Sequence, residues 1–237
     1  MAAVPQQQTY FDDLAELFAI FAAATDPIYR DWVTASVPDL SGRPGSRAVD
    51  LGCGSGRFLD LLADRHTEVL GVDIAGREIE MARRDHPQPH LRLQTRSLLE
   101  VTPEADGQFD TVFSVNAIHQ LRAHDTVLPH LRSLLAPGGH LVVVDIVDPG
   151  GWASGLDWHI HQAFVIAETA YRTRSKDAGL AADVLRLCLH PAWLQHVTTD
   201  IPLSREEFHT RYGDVFPGAE FAELDPVVAA IHWQAPA

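Results

Sequence analysis

The segment VDLGCGSGRF, residues 49–58, places three glycines at alternate positions directly after a short apolar run. Glycine takes positive φ angles at little cost and lets the backbone approach a ligand closely. The residues that follow have the apolar spacing of a helix. A strand, a glycine turn and a helix in this order are typical of parallel α/β sheets, whose ligands bind beyond the carboxyl ends of the strands. The segment therefore predicts a turn that binds a nucleotide or a nucleoside, with an ordinary tight turn as the alternative.

Downstream of this turn, short apolar runs alternate with helical patterns. Valine-rich strands that alternate with helices favour a parallel sheet with right-handed crossovers. The patterns predict strands at residues 48–51, 68–73, 91–95, 109–115, 140–147 and 227–233. They predict helices at residues 10–24, 57–65, 78–85, 126–135, 156–173, 178–189 and 204–212, and one more between Pro27 and Pro38.

Charge and cysteine content narrow the class of partner. The 237 residues carry a formal net charge of −14, which disfavours binding to nucleic acids or anionic membranes. The two cysteines, Cys53 and Cys188, cannot form a disulfide framework, so a reducing cytoplasm is expected. No secretory signal or membrane span is expected from the apolar pattern.

Two cofactor classes use a glycine turn of this kind, dinucleotides and S-adenosylmethionine. The dinucleotide fingerprint G-x-G-x-x-G requires a third glycine where this chain has Arg57. An acid about 20 residues further on, which grips ribose hydroxyls, suits both classes, and Asp73 stands there. The residues around the turn are thus compatible with both cofactors, although they depart from the dinucleotide pattern.

The string DLGCGSG, residues 50–56, resembles the nucleoside-binding motif of class I S-adenosylmethionine-dependent methyltransferases. Further motifs of that family match in order at VLGVDIA (69–75), FDTVFSVNAIHQL (109–121) and LLAPGGHLVVVD (134–145). The resemblance covers about residues 10–148. It is strongest to the type 11 group, which includes ubiquinone and menaquinone biosynthesis enzymes and natural-product small-molecule methyltransferases.

This resemblance implies an α/β, Rossmann-like class I methyltransferase fold. Such a fold is a mostly parallel, twisted, seven-stranded sheet flanked by helices, here with an N-terminal helical lid. It also implies one methyltransferase domain over residues 1–237. The lid would occupy residues 1–40, the cofactor-binding core residues 41–148, and the acceptor-pocket helices and C-terminal strands residues 149–237.

The same resemblance assigns roles toward S-adenosyl-L-methionine. Asp50 would hold the methionine end, Asp73 would accept the ribose hydroxyls and Ile74 would pack on the adenine. Ser97 stands where the family usually has an aspartate for the adenine amino group, so this contact departs from the family. The expected cofactor-binding residues are Tyr10, Asp50, Gly52, Gly54, Gly56, Asp73, Ile74, Ser97, Leu98, Asn116 and Ala117.

Methyl transfer from a sulfonium is an in-line displacement that depends mainly on positioning, worth about 7–11 kcal/mol. A general base is therefore useful only for an acceptor that must lose a proton. His119, just past the fourth strand, is the first candidate, and His159 and His161 in GLDWHIHQ are the next. Ordinary packing or solvated histidines are the alternative at all three positions. No metal site is expected.

The sequence therefore predicts methyl transfer from S-adenosylmethionine to a small organic acceptor, such as one of specialised metabolism. The alternatives are a cyclase, isomerase or decarboxylase that keeps the cofactor pocket, and, more weakly, an NAD-dependent oxidoreductase. Neither a nucleic-acid nor a membrane partner is expected. The acceptor, the methylated atom and the oligomeric state are left open, with a homodimer as the default.

Overall fold

A computed structural model describes residues 4–121, 123–150, 155–199 and 201–237, with side chains from residue 12 onward. Seven strands form one sheet in the spatial order β3-β2-β1-β4-β5-β7-β6. Neighbours among β1 to β5 are parallel, β7 is antiparallel to β5, and β6 is antiparallel to β7. The mostly parallel seven-stranded fold predicted from the sequence is thereby confirmed. The strands are β1 Arg47–Leu51, β2 Glu68–Asp73, β3 Leu91–Thr95, β4 Phe109–Val115, β5 Leu135–Ile146, β6 Glu220–Asp225 and β7 Val228–Gln234.

Helices cover both faces of the sheet, which is why the central strands are apolar on both sides. Helices α1 to α3 cover one face, and α5 and α9 cover the other. Helices α6 and α7 pack with α1 in a separate apolar cluster beside the sheet. The helices are α1 Val4–Ser36, α2 Leu59–Arg65, α3 Gly76–Asp85, α4 Pro103–Asp106, α5 His124–Ser133, α6 Leu156–Thr173, α7 Ala178–Cys188, α8 Pro191–Thr199 and α9 Arg205–Val215.

The N-terminal segment is one helix, although the sequence predicts two that are separated at Pro27. Proline lacks the N–H that would bond to the carbonyl four residues earlier, and it usually kinks or ends a helix. Here α1 continues through Pro27. The Thr25 hydroxyl donates to the carbonyl of Phe21 at 3.0 Å. Beyond the proline, Tyr29 and Val33 are 2% and 0% exposed, so burial against the sheet outweighs the local cost.

The C-terminal part contains helix α9, which the sequence predicts, and two elements that it does not predict. A capping box starts α9 as predicted: the Ser204 hydroxyl accepts from the Glu207 N–H, and the Glu207 carboxylate accepts from the Ser204 N–H. Helix α8 and strand β6 are not predicted from the sequence. Strand β6 is an edge strand that pairs with β7, and its sequence EFAELD has no clear alternation. Within the described residues, none of the helices combines the length and apolar character that a membrane crossing requires.

Candidate active site

A cavity of about 400 Å³ lies at the carboxyl ends of the parallel strands, where an open α/β sheet binds its ligands. The turns after β1, β2 and β4 form its polar floor, and helices α1, α6 and α8 contribute its walls. Most of the residues singled out from the sequence meet here. The lining includes Asp50, Gly52, Gly54, Asp73, Ile74, Ser97, Leu98, Asn116, Ala117, His119 and His159.

The glycine turn after β1 is held by backbone hydrogen bonds to β2. The N–H groups of Gly52 and Cys53 both donate to the Val72 carbonyl, at 2.8 and 3.0 Å. Gly52 has a φ of +81°, and a Cβ atom there would lie 2.4 Å from the Cβ of Ala117. A side chain would therefore close the gap between the turns after β1 and β4. Gly56 does not line the cavity. Its φ is +101° and a Cβ atom there would collide with the His86 ring, so glycine is required at this position by backbone conformation and packing.

Asp73 ties the ends of β1 and β2 together. One carboxylate oxygen accepts from the Gly54 N–H at 2.9 Å, and the other accepts from the Ala75 N–H at 2.8 Å. Each oxygen retains a lone pair for a further donor. Burial raises the pKa of Asp73. The geometry therefore suits a ligand that brings two hydroxyl groups to this carboxylate.

Two more buried carboxyl groups line the cavity. Burial, followed by the charge of Asp73, raises the pKa of Asp50 to about 8. The same two causes raise the pKa of Glu78 to about 8, although hydrogen bonds from Ser55 oppose them. Glu78 was not predicted as a site residue from the sequence. An acid in the first turn of a helix usually faces solvent and interacts favourably with the helix dipole. An acidic floor of this kind favours a ligand that carries positive charge.

Asn116 presents an acceptor to the cavity. Its φ of +56° is rare for a residue other than glycine, and its side-chain N–H donates to the Tyr29 hydroxyl at 3.2 Å. Its Oδ1 atom is buried and accepts no hydrogen bond within the described part of the chain. A buried acceptor without a donor is costly, so the site is complementary to a ligand N–H or ammonium group.

Ser97 lines the other end of the cavity, beside Leu98. Its hydroxyl accepts from the Leu99 N–H at 3.2 Å, and Glu100 accepts from the Ser97 N–H at 2.9 Å. Ser97 thus caps the short 3-10 turn Leu98–Glu100. Ser97 therefore does two things in this structure: it caps the local turn and it forms part of the cavity wall.

His119 and Asp145 form a hydrogen-bonded pair at the cavity. The ring Nδ1 of His119 lies 2.5 Å from one oxygen of Asp145, and the other oxygen accepts from the His119 backbone N–H at 2.6 Å. Asp145 is 2% exposed and also accepts from the Ile146 N–H. Because a carboxylate only accepts, Nδ1 carries the hydrogen and the neutral ring keeps Nε2 as an acceptor. Asp145 is not singled out from the sequence, although its position at a strand end, like that of Asp73, is the signal that could have found it.

The two histidines of α6 take different positions. His159 is 6% exposed and lines the cavity, where Trp158 packs edge-on against its ring at 4.9 Å. His161 lies about 200° further around the helix, is exposed and does not line the cavity. The geometry therefore does not support the catalytic role predicted for His161. The side chain of Tyr10 lies outside the described residues.

Arg57 stands where the dinucleotide motif has its third glycine, and its side chain contacts helix α1. Its guanidinium donates to Asp26 and Thr25 of α1, both at 3.3 Å, and lies 4.2 Å from the centre of the Tyr29 ring. Arg57 thus fastens helix α1 to the turn. Both cysteines, Cys53 and Cys188, are free thiols that line the cavity, and burial raises their pKa values, that of Cys188 to about 12.

A family model for a methyltransferase domain matches residues 49–143, which contain the glycine turn, Asp73, Asn116 and His119. Residues 49–143 thus form a methyltransferase domain, similar to that of the class I S-adenosylmethionine-dependent methyltransferases. This methyltransferase is 27% identical over 147 residues to an uncharacterized methyltransferase from Synechocystis, covering 61% of this chain and 68% of that one. It is 26% identical over 118 residues to the ubiquinone biosynthesis O-methyltransferase of Bordetella avium, covering 49% of this chain and 48% of the relative. The match thus spans about half the length of that relative.

The fold also matches solved methyltransferases. The N-methyltransferase NodS from Bradyrhizobium japonicum superposes with a TM-score of 0.56 at 17% identity, covering 90% of this chain and 98% of that one. At this identity the likeness concerns the fold. The methyl donor of the class is S-adenosylmethionine, and the acidic floor, the crowded glycine turn and the buried Asn116 acceptor all fit it. Within the described residues, no group of three or more metal-ligating side chains is present.

Proposed function

We propose that this methyltransferase transfers a methyl group from S-adenosylmethionine to a small organic acceptor, such as one of specialised metabolism in the cytoplasm. The observation that carries the proposal is the His119–Asp145 pair, whose histidine lines the same cavity as the glycine turn and Asp73. In this proposal residues 1–40 form the lid, residues 41–148 hold the cofactor, and residues 149–237 complete the acceptor pocket.

When bound, S-adenosylmethionine supplies a methyl group that is already activated by its sulfonium. Asp73 would hold the ribose hydroxyls, and Asn116 Oδ1 and Asp50 would face the cationic methionine end. Ile74, Ser97 and Leu98 would line the adenine pocket. These side chains position the donor, and the walls of the cavity exclude water.

His119 would take the proton from an acceptor hydroxyl at Nε2. Asp145 holds the ring in the required tautomer and stabilises the positive charge that forms on it. His159, on α6, would contact the acceptor. The alternative of a non-methylating enzyme on the same fold has no observation in its favour.

The first experiment is calorimetric titration with S-adenosylmethionine and, separately, with NAD, on the wild type and on Asp73→Ala. We expect micromolar binding of S-adenosylmethionine that collapses in the variant, and no binding of NAD. Asp85→Ala removes an exposed acid outside the cavity and is the control. Absence of S-adenosylmethionine binding to the wild type would overturn the proposal.

A further inference from the structure

The charges in the cavity restrict the acceptor. Among the described lining residues, four carry carboxyl groups, namely Asp50, Asp73, Glu78 and Asp225. Arg57 is the only arginine or lysine among them, beside the histidines His119, His159 and His196. The guanidinium of Arg57 is already bonded to Asp26 and Thr25. A carboxylate or phosphate on the acceptor would therefore enter the cavity without an arginine or lysine to pair with it, at a desolvation cost.

The helical walls of the cavity are aromatic. Phe18 and Phe21 of α1 pack against Trp193 of α8, with ring centres 5.3 and 5.9 Å apart. Trp158 of α6 also lines the cavity. Rings that meet at tilted angles offer both faces and edges, which attract a further ring beyond the effect of area burial. These walls favour a flat aromatic acceptor.

The His119–Asp145 pair restricts the reacting group. A base at Nε2 is useful to an acceptor that loses its proton during transfer, and a phenol, which ionises near pH 10, is much closer to a histidine in acidity than an aliphatic alcohol. We infer that the acceptor is an uncharged aromatic compound that is methylated on a phenolic hydroxyl. This inference rests on the proposed function.

The phenolic oxygen forms a bond to the methyl carbon while the carbon–sulfur bond of the sulfonium breaks, and that electron pair stays on sulfur. The hydroxyl proton passes to His119 Nε2. The products are the aryl methyl ether and S-adenosylhomocysteine.

The test compares matched acceptors that differ in one property. Methyl 4-hydroxybenzoate and methyl 6-hydroxy-2-naphthoate are the neutral phenols, and their free acids are the anionic counterparts. Methyl 4-hydroxycyclohexanecarboxylate retains the hydroxyl and the ester but lacks the aromatic ring. Binding is measured by calorimetry on the protein saturated with S-adenosylhomocysteine, and turnover by release of S-adenosylhomocysteine from S-adenosylmethionine.

We expect at least one neutral phenol to bind at least about tenfold more tightly than both its free acid and the cyclohexane analogue, and to be methylated. Equal or tighter binding of the acids, or no binding of either phenol, would overturn the inference. S-adenosylmethionine is titrated in parallel. If it binds while the phenols do not, the inference fails and the proposed function stands; if it does not bind, the proposed function fails.

A variant pair locates the ring subsite. Trp193→Leu should weaken phenol binding about tenfold and change the Kd of S-adenosylmethionine less than twofold. Phe164→Leu removes a ring of α6 that is 54% exposed and outside the cavity, and it should change neither value. Equal phenol affinity in Trp193→Leu and wild type, with both folded by circular dichroism, would also contradict the aromatic subsite.

Discussion

Asp145 determines which ring nitrogen of His119 carries the hydrogen. Its two oxygens accept from the ring and from the backbone of the same histidine, and its burial excludes competing water. The ring therefore has a fixed tautomer and a fixed orientation before any ligand binds. In the proposed function Asp145 is a positioning residue, because it acts through His119.

Replacing Asp145 by Asn should reduce kcat by roughly 10²–10⁴-fold, because the amide can donate to Nδ1 and favour the wrong tautomer. The Kd of S-adenosylmethionine should change little. Acidic phenols that are already ionised at the assay pH need no base, so they should recover most of the lost rate. Asp110→Asn alters a buried aspartate of β4 that pairs with Arg43, and serves as the control. A loss that does not depend on the acidity of the phenol would point to a merely structural role.

The raised pKa of Asp50 makes cofactor binding depend on pH. Below its pKa of about 8, the free site holds a proton that a cationic ligand must displace. The affinity for S-adenosylmethionine should therefore rise with pH, by up to about tenfold per unit, and level off above about pH 8. Calorimetry from pH 6 to pH 9 on the wild type and Asp50→Asn isolates this contribution, since the ligand titrates equally in both. Parallel curves for the two proteins would contradict it.

At the scale of elements, α1 is joined to the cofactor-binding turns at separate points. Arg57 reaches it from the glycine turn, and Arg77 at the start of α3 donates to Asp12 and Glu16. Further along the helix, Phe18 contacts Trp193 of α8. Helix α1 is thus tied to the glycine turn and to α3 by arginine residues of those elements.

Replacing Arg57 by Met should lower the free energy of unfolding by about 1–3 kcal/mol, because hydrogen bonds of a largely buried cation are lost. It should also weaken binding of S-adenosylmethionine, since helix α1 loses its link to the glycine turn. Urea unfolding and calorimetry measure both effects. Arg84→Met removes an exposed pair with Asp85 and should cost less than about 1 kcal/mol. Similar losses in the two variants would argue against the link.

The elements that the sequence predicts well are those with strong local signals. Strands β2, β3 and β4 have the predicted bounds, because their apolar runs are flanked by turns. The continuity of α1 through Pro27 was not predictable, since long-range burial of Tyr29 and Val33 opposes the local preference. Glu78 was not predicted, because its importance comes from tertiary burial. Asp145 was not predicted either, although its position at a strand end is a local signal. The glycine turn and Asp73 were found because their spacing is itself the signal.

For the whole molecule, the acids of the cavity affect stability. The pKa of Asp50 is raised from 3.8, and that of Glu78 from 4.5, each to about 8. The folded ligand-free protein therefore binds more protons than the unfolded chain between about pH 4 and pH 8. This contribution to stability is fully present below the unfolded pKa values and is lost as pH rises through about 8.

The urea midpoint of the ligand-free protein should accordingly fall between pH 6 and pH 9 by more in the wild type than in Asp50→Asn/Glu78→Gln. Bound S-adenosylmethionine should reduce the fall, because its positive charge stabilises the ionised carboxylates. A double variant with the same pH dependence as the wild type would show that these groups do not control it.

The two cysteines give the protein a built-in reporter. Cys53 and Cys188 are the only thiols in the sequence, both line the cavity, and they are 5% and 2% exposed. A maleimide can reach them only when the helices around the cavity separate, so the labelling rate of the unmodified protein measures how often the cavity opens. The mass of the protein after timed labelling would then report ligand binding without an introduced dye. We expect each ligand to slow the labelling, because it closes the site.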